Sequence, residues 1–147
     1  MFTRSQLLRG GSVATLVLFA LGACAQMTGG SVGVSATLSS AAEVPPNQST
    51  ATGTLQGRYD KQSKLLSWKL VYSGLSGPAT MAHFHGPALA GENAGVAVPL
   101  ANPASAVEST ATLSDAQAAD LLAGKWYINV HTAANPGGEI RGQLMVK

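Results

Sequence analysis

From Val32 onward the chain runs in short apolar stretches that alternate with polar positions and are cut by glycine, proline and asparagine. This is the pattern of β-strands joined by turns. The stretches are Val32–Leu38, Ala51–Tyr59, Leu65–Tyr72, Thr80–His85, Gly95–Leu100, Val107–Leu113, Trp126–Thr132 and Glu139–Val146. Eight strands at about ten-residue spacing predict an all-β antiparallel sandwich or barrel. Side chains alternate across a strand, so Leu66, Trp68, Leu70 and Tyr72 share one face and mark the core.

One segment departs from this period. Ser114-Asp-Ala-Gln-Ala-Ala-Asp-Leu-Leu-Ala123 predicts a short helix. Ser114 with Gln117 three positions on forms a capping box, Asp115 suits the positive N-terminal end, and Gly124 can supply a left-handed C-terminal turn. Ala118, Leu121 and Leu122 are expected to cover one end of the β structure.

Ahead of the strands, Arg4 and Arg9 precede the apolar run Val13–Leu21 and then small residues, which is the layout of a secretory signal. The run is shorter than the roughly 20 residues a permanent membrane helix needs. Leu21-Gly-Ala-Cys24 resembles the bacterial lipoprotein box. That resemblance implies cleavage before Cys24, lipidation of Cys24 by diacylglycerol and a fatty acyl group such as palmitate, and, with Ala25 following, outer-membrane sorting in a diderm cell. Ordinary cleavage, giving a soluble periplasmic or secreted protein, is the alternative. The expected organisation is a signal over 1–23, a flexible tether over 24–31 and one β domain over 32–147.

Charge narrows the partners. Two of the nine Lys/Arg lie in the signal, which leaves the remaining domain neutral against its seven Asp/Glu. No basic stripe is present for nucleic acid, no glycine-rich loop for a nucleotide, and no Gly-x-Ser-x-Gly elbow for nucleophilic catalysis. Cys24 is the only cysteine, so an internal disulfide is excluded. The leading expectation is a membrane-tethered, extracytoplasmic binding or interaction module without enzymatic activity. Its partners would be the membrane, through the lipid, and an envelope protein.

The three histidines carry the remaining chemistry. His83 and His85 flank Phe84, so they leave a strand on the face opposite Ala82 and Phe84. In Trp126–His131, Asn129 and His131 occupy the polar side, and in the last strand Glu139, Arg141 and Gln143 do the same. A hairpin closed by Asn135-Pro-Gly-Gly138 and pairing 131 with 139 would make His131, Glu139 and Arg141 neighbours. Two readings stand open. The rings either bond backbone carbonyls, Asn129 or Glu139 and tie loops to strand ends, or hold one copper or zinc ion with water or Glu139 at the fourth position. Glu139 and Arg141 are most simply a surface ion pair. A dinuclear copper-zinc superoxide dismutase site is excluded, because it needs more histidines than this chain has.

Ala82-His-Phe-His-Gly-Pro-Ala88, Leu113-Ser-Asp-Ala-Gln with Leu121-Leu-Ala-Gly124, and Tyr127–Thr132 through Asn135–Gln143 resemble the CHRD domain, the module named for chordin. The likeness runs from about Val34 to Val146. It implies an immunoglobulin-like β-sandwich found in extracellular and exported proteins, and leaves the activity open. It also implies a structural part for Gly86, Pro87, Asn129, Pro136, Gly137, Gly138 and Arg141.

Overall fold

The computed structural model describes residues 30–147. The signal, Cys24 and most of the tether lie outside the described residues. The strands are β1 (Ser31–Ser39), β2 (Thr52–Asp60), β3 (Leu65–Ser73), β4 (Ala79–His85), β5 (Val96–Pro99), β6 (Val107–Thr112), β7 (Tyr127–Thr132), β8 (Ile140–Gln143) and β9 (Met145–Val146). A 3-10 turn covers Ser40–Ala42, and one helix, α1, spans Asp115–Leu122. The first seven strands start and stop within one residue of the alternation pattern. The eighth expected strand divides at Leu144, whose N–H turns to the Trp126 carbonyl at 2.8 Å while its side chain stays in the core.

The strands form a single antiparallel sheet in the order β5-β4-β7-β8-β1-β2-β3-β6, with β9 added to β1. This corrects the expected two-sheet sandwich. β1 pairs along its whole length with β2, and its other edge is shared between β8 at Ser39 and β9 at Val34 and Ser35. Hydrogen bonding therefore runs through the place where a sandwich would break, and the sheet curls into a nearly closed barrel. Trp68 of β3 meets Phe84 of β4 edge-on at 4.9 Å, although these strands are far apart in the sheet order. Burying aromatic side chains of this size contributes about 1.5–3 kcal/mol each.

The opening between the edge strands β5 and β6 is spanned by α1. Ser114 accepts from the Gln117 N–H, and Gln117 accepts from the Ser114 N–H, so the expected capping box forms. The same Gln117 amide donates to the Ala97 carbonyl of β5 at 2.9 Å. One side chain thus starts the helix and ties it to the far edge of the sheet. Ala118 and Leu121 are buried as expected, and Gly124 adopts φ +70°. Leu122 is not buried: it is 40% exposed, because one further helical position rotates it about 100° away from Leu121.

The strands β4, β7 and β8 form the platform for the histidines. Their inner face is apolar, with Ala82, Phe84, Ile128, Val130 and Ile140 fully buried. All six residues of β7 are buried, so its polar face is covered as well. Residues 86–95 close over it, held at their ends by Gly86 N–H to the Gly95 carbonyl and Ala88 N–H to the Lys125 carbonyl. Asn93 fastens this loop to the Val44 carbonyl on the segment after the 3-10 turn.

Candidate metal centre

Register brings the three histidines together. In the β4–β7 pair, Met81 stands opposite His131, His83 opposite Asn129 and His85 opposite Tyr127. All these positions point to the face away from the core, so His131 is the diagonal neighbour of His83. The His83 and His131 rings lie 4.9 Å apart between centroids, and His83 and His85 lie 5.5 Å apart. One ring nitrogen from each of the three falls within 4.8 Å of the others. Three points so spaced share a centre no more than about 2.8 Å from each, and metal–imidazole bonds of about 2.0 Å need under an ångström of further closure.

Hydrogen bonds set the tautomers. Nδ1 of His131 lies 2.9 Å from the Pro136 carbonyl, and Nδ1 of His85 lies 3.0 Å from the Ala94 carbonyl. A carbonyl only accepts, so both Nδ1 atoms carry protons and both Nε2 atoms present lone pairs. This is the arrangement in which outer hydrogen bonds orient a ligating imidazole. The His131 Nε2 lies 3.0 Å from His83 Nδ1. The His85 Nε2 lies 3.0 Å from the Asn129 side-chain oxygen. Two acceptors do not bond, so the amide turns over to donate, or Nε2 gives its lone pair to an ion.

Burial holds His83 below the ordinary histidine range, aided by the neighbouring His131 and His85. Burial does the same to His131, opposed by the Pro136 carbonyl and aided by His85. Both rings are therefore neutral near pH 7, the state a metal ion requires. His85 and His131 are buried while His83 is only partly so, which places the mouth of the group on the His83 side.

The CHRD domain matches residues 34–144, a span that includes all three histidines and every element that holds them. The chain belongs to the CHRD domain family. CHRD domains are typically extracellular, and membership points to an extracellular-type binding module. Comparison with curated proteins and with solved structures finds no match. Among the described residues no helix is long and apolar enough to cross a membrane.

The CHRD motif residues form the frame around the rings. Tyr127 stacks on His85 at 4.7 Å with planes 4° apart, and the Arg141 guanidinium carbon sits 3.4 Å from the Tyr127 ring centroid. Arg141 also donates to the Asn93 side chain at 2.8 Å and to the Glu92 carbonyl. Gln143 donates to the Ala88 carbonyl, and the Tyr127 hydroxyl accepts from the Ala94 N–H. The polar face of the sheet is thus the attachment surface for residues 86–95. Gly86, which precedes Pro87, is required sterically: a Cβ there would lie 2.4 Å from Trp126 Cδ1. Gly138 has φ +130°, and a Cβ there would lie 2.3 Å from Glu43 Oε1. Nothing lies within 4 Å of a Cβ built on Gly137.

The CHRD hairpin has the expected register, with Glu139 N–H bonded to the Val130 carbonyl at 2.7 Å. The side chain of Glu139 nevertheless joins a different group. It precedes the first residue of β8, and its carboxylate accepts from Ser49 Oγ, from the Ser76 N–H and Oγ, and from Thr132 Oγ1 at 2.6–2.8 Å. Burial alone would raise this carboxyl, but the hydroxyl and N–H donors outweigh it and hold it at about 2. The expected placement of Glu139 beside His131 as a fourth ligand or support is therefore replaced by a separate serine–threonine cage. The expected surface pair with Arg141 is corrected too, since both residues are buried and have different partners.

Two residues of the CHRD frame escaped the alternation argument. Tyr127 reads as one more aromatic in a strand, and its parity with Asn129 was the available signal. Glu43 is 5% exposed, with one carboxylate oxygen lacking a partner, and burial pushes it up to about 7 despite Arg141 and the Val44 N–H. It lies in a segment without periodicity, where no pattern marks a buried acid.

Proposed function

We propose that this CHRD domain is an extracytoplasmic metal-binding module in which His83, His85 and His131 hold one copper or zinc ion. The observation that carries the reading is the convergence of three ring nitrogens within 4.8 Å, two of them on rings anchored through Nδ1. Three imidazoles with a fourth position for water fit the donor preference of either metal. The reading assigns no reaction. Cys24, by the lipoprotein-box resemblance, would tether the module to the envelope membrane. Cys24→Ser should then abolish partitioning into a detergent phase.

The test is titration of the purified protein with Zn(II) and Cu(II). One equivalent of at least one ion should bind with Kd below about 1 µM, which is about −8 kcal/mol. His83→Ala and His131→Ala should each weaken binding at least about tenfold. The bonds to Ala94 and Pro136 also support a structural reading, in which the rings fasten loops to the sheet. Under that reading the same variants would lose stability, and the wild type would bind neither ion.

A further inference from the structure

Met81 opens the run Met81-Ala-His-Phe-His85, and its odd parity puts it on the histidine face. It is the register partner of His131, and directly opposed residues on one face have β-carbons about 5 Å apart. It is also two residues from His83 on the same strand. Met81, His83 and His131 are thus mutual neighbours. The loops that cover His85 and His131 leave this side open: Met81 is 47% exposed. A single exposed methionine is ordinary at a protein surface, so what singles Met81 out is its place beside His83 and His131. Its unbranched chain and thioether can swing inward without a backbone change.

Resting on the proposed histidine site, we infer that Met81 is a further ligand and that the ion this site selects is copper, including its cuprous state. A thioether is a soft donor that favours Cu(I) and offers little to Zn(II). Met81 at the mouth would close the coordination from the solvent side, where His83 is the least buried of the three rings.

The experiment compares the full chain with Met81→Leu, a variant that keeps shape at an exposed position and so leaves folding intact. Each protein competes for Cu(I), kept reduced by ascorbate, against a chromophoric cuprous chelator, and is titrated separately with Zn(II). Met81→Leu should weaken Cu(I) binding at least about tenfold and change Zn(II) binding less than about twofold. Equal Cu(I) affinity in wild type and Met81→Leu overturns the role of Met81 while leaving the three-histidine site standing. A parallel loss of Cu(I) and Zn(II) overturns the selectivity. A wild type that binds neither ion overturns the histidine site itself, and with it this inference.

Discussion

Strands β3 and β7 show two ways of using the same alternation. Along β3 buried and open positions take turns, with Leu66, Trp68 and Leu70 inside and Leu65, Lys69 and Val71 outside. Along β7 Ile128 and Val130 are inside, and Tyr127, Asn129 and His131 are buried as well, beneath residues 86–95 and the hairpin loop. On β3 a polar residue needs only water. On β7 it needs a named partner, because an unpaired buried polar group costs about 1–3 kcal/mol. The covered polar face is where this domain concentrates its specific chemistry.

Substitutions should expose that contrast. The largest effect is expected at Arg141, where alanine removes a buried guanidinium from Tyr127, Asn93 and Glu92 and leaves Glu43 without its opposing charge. Arg141→Ala should cost about 3–5 kcal/mol by chemical denaturation. Lys69→Ala on β3, which breaks only the exposed contact with Glu108, should stay within about 0.5 kcal/mol. Next comes Glu139→Ala, at about 3 kcal/mol, because it strands four donors. The pH signature has a definite sign. A carboxyl held at about 2, below its ordinary 4.5, stabilises the fold above pH 4.5 and loses that contribution as pH falls toward 2. Acid titration of stability should show this fall in the wild type and less of it in Glu139→Gln.

Smaller still is Gly86→Ala. Its new Cβ would press on the rigid Trp126 indole and should cost about 1–3 kcal/mol. Gly33→Ala on β1, where nothing lies within 4 Å, should lie near zero. Apart from the controls at Lys69 and Gly33, the smallest effect is expected at Glu43. Its carboxyl is raised to about 7, so the folded state prefers the protonated form and loses stability as pH rises from 4.5 through 7. Glu43→Gln should remove that slope and be more stable than the wild type at pH 8, by about 1 kcal/mol.

Legibility followed the same division. The strands were readable because alternation is local, and Leu66, Trp68 and Leu70 lie where parity put them. The helix was readable because the capping box of Ser114 and Gln117 and the left-handed turn at Gly124 are local, whereas the bond from Gln117 to Ala97 is not. Closure of the sheet was not, since it depends on how the outer edge of β1 is divided between β8 and β9. At the site, parity and the Asn135–Gly138 turn identified the right face and hairpin register. They could not tell a wet polar face from a covered one. Glu139 was misplaced for a related reason: one residue outside β8, the alternation rule no longer governs its side chain. Met81 shares the parity of His83, but a methionine in a strand ordinarily marks packing rather than a ligand.

The central claim, that His83, His85 and His131 converge on one ion, is tested most directly by X-ray absorption on the copper-loaded protein. Scattering from three imidazole rings, with nitrogens near 2.0 Å, and its reduction by one ring in His131→Ala, is the result this account predicts. A protein that retains no copper, or one whose spectrum shows at most one imidazole and is unchanged by His131→Ala, would contradict it.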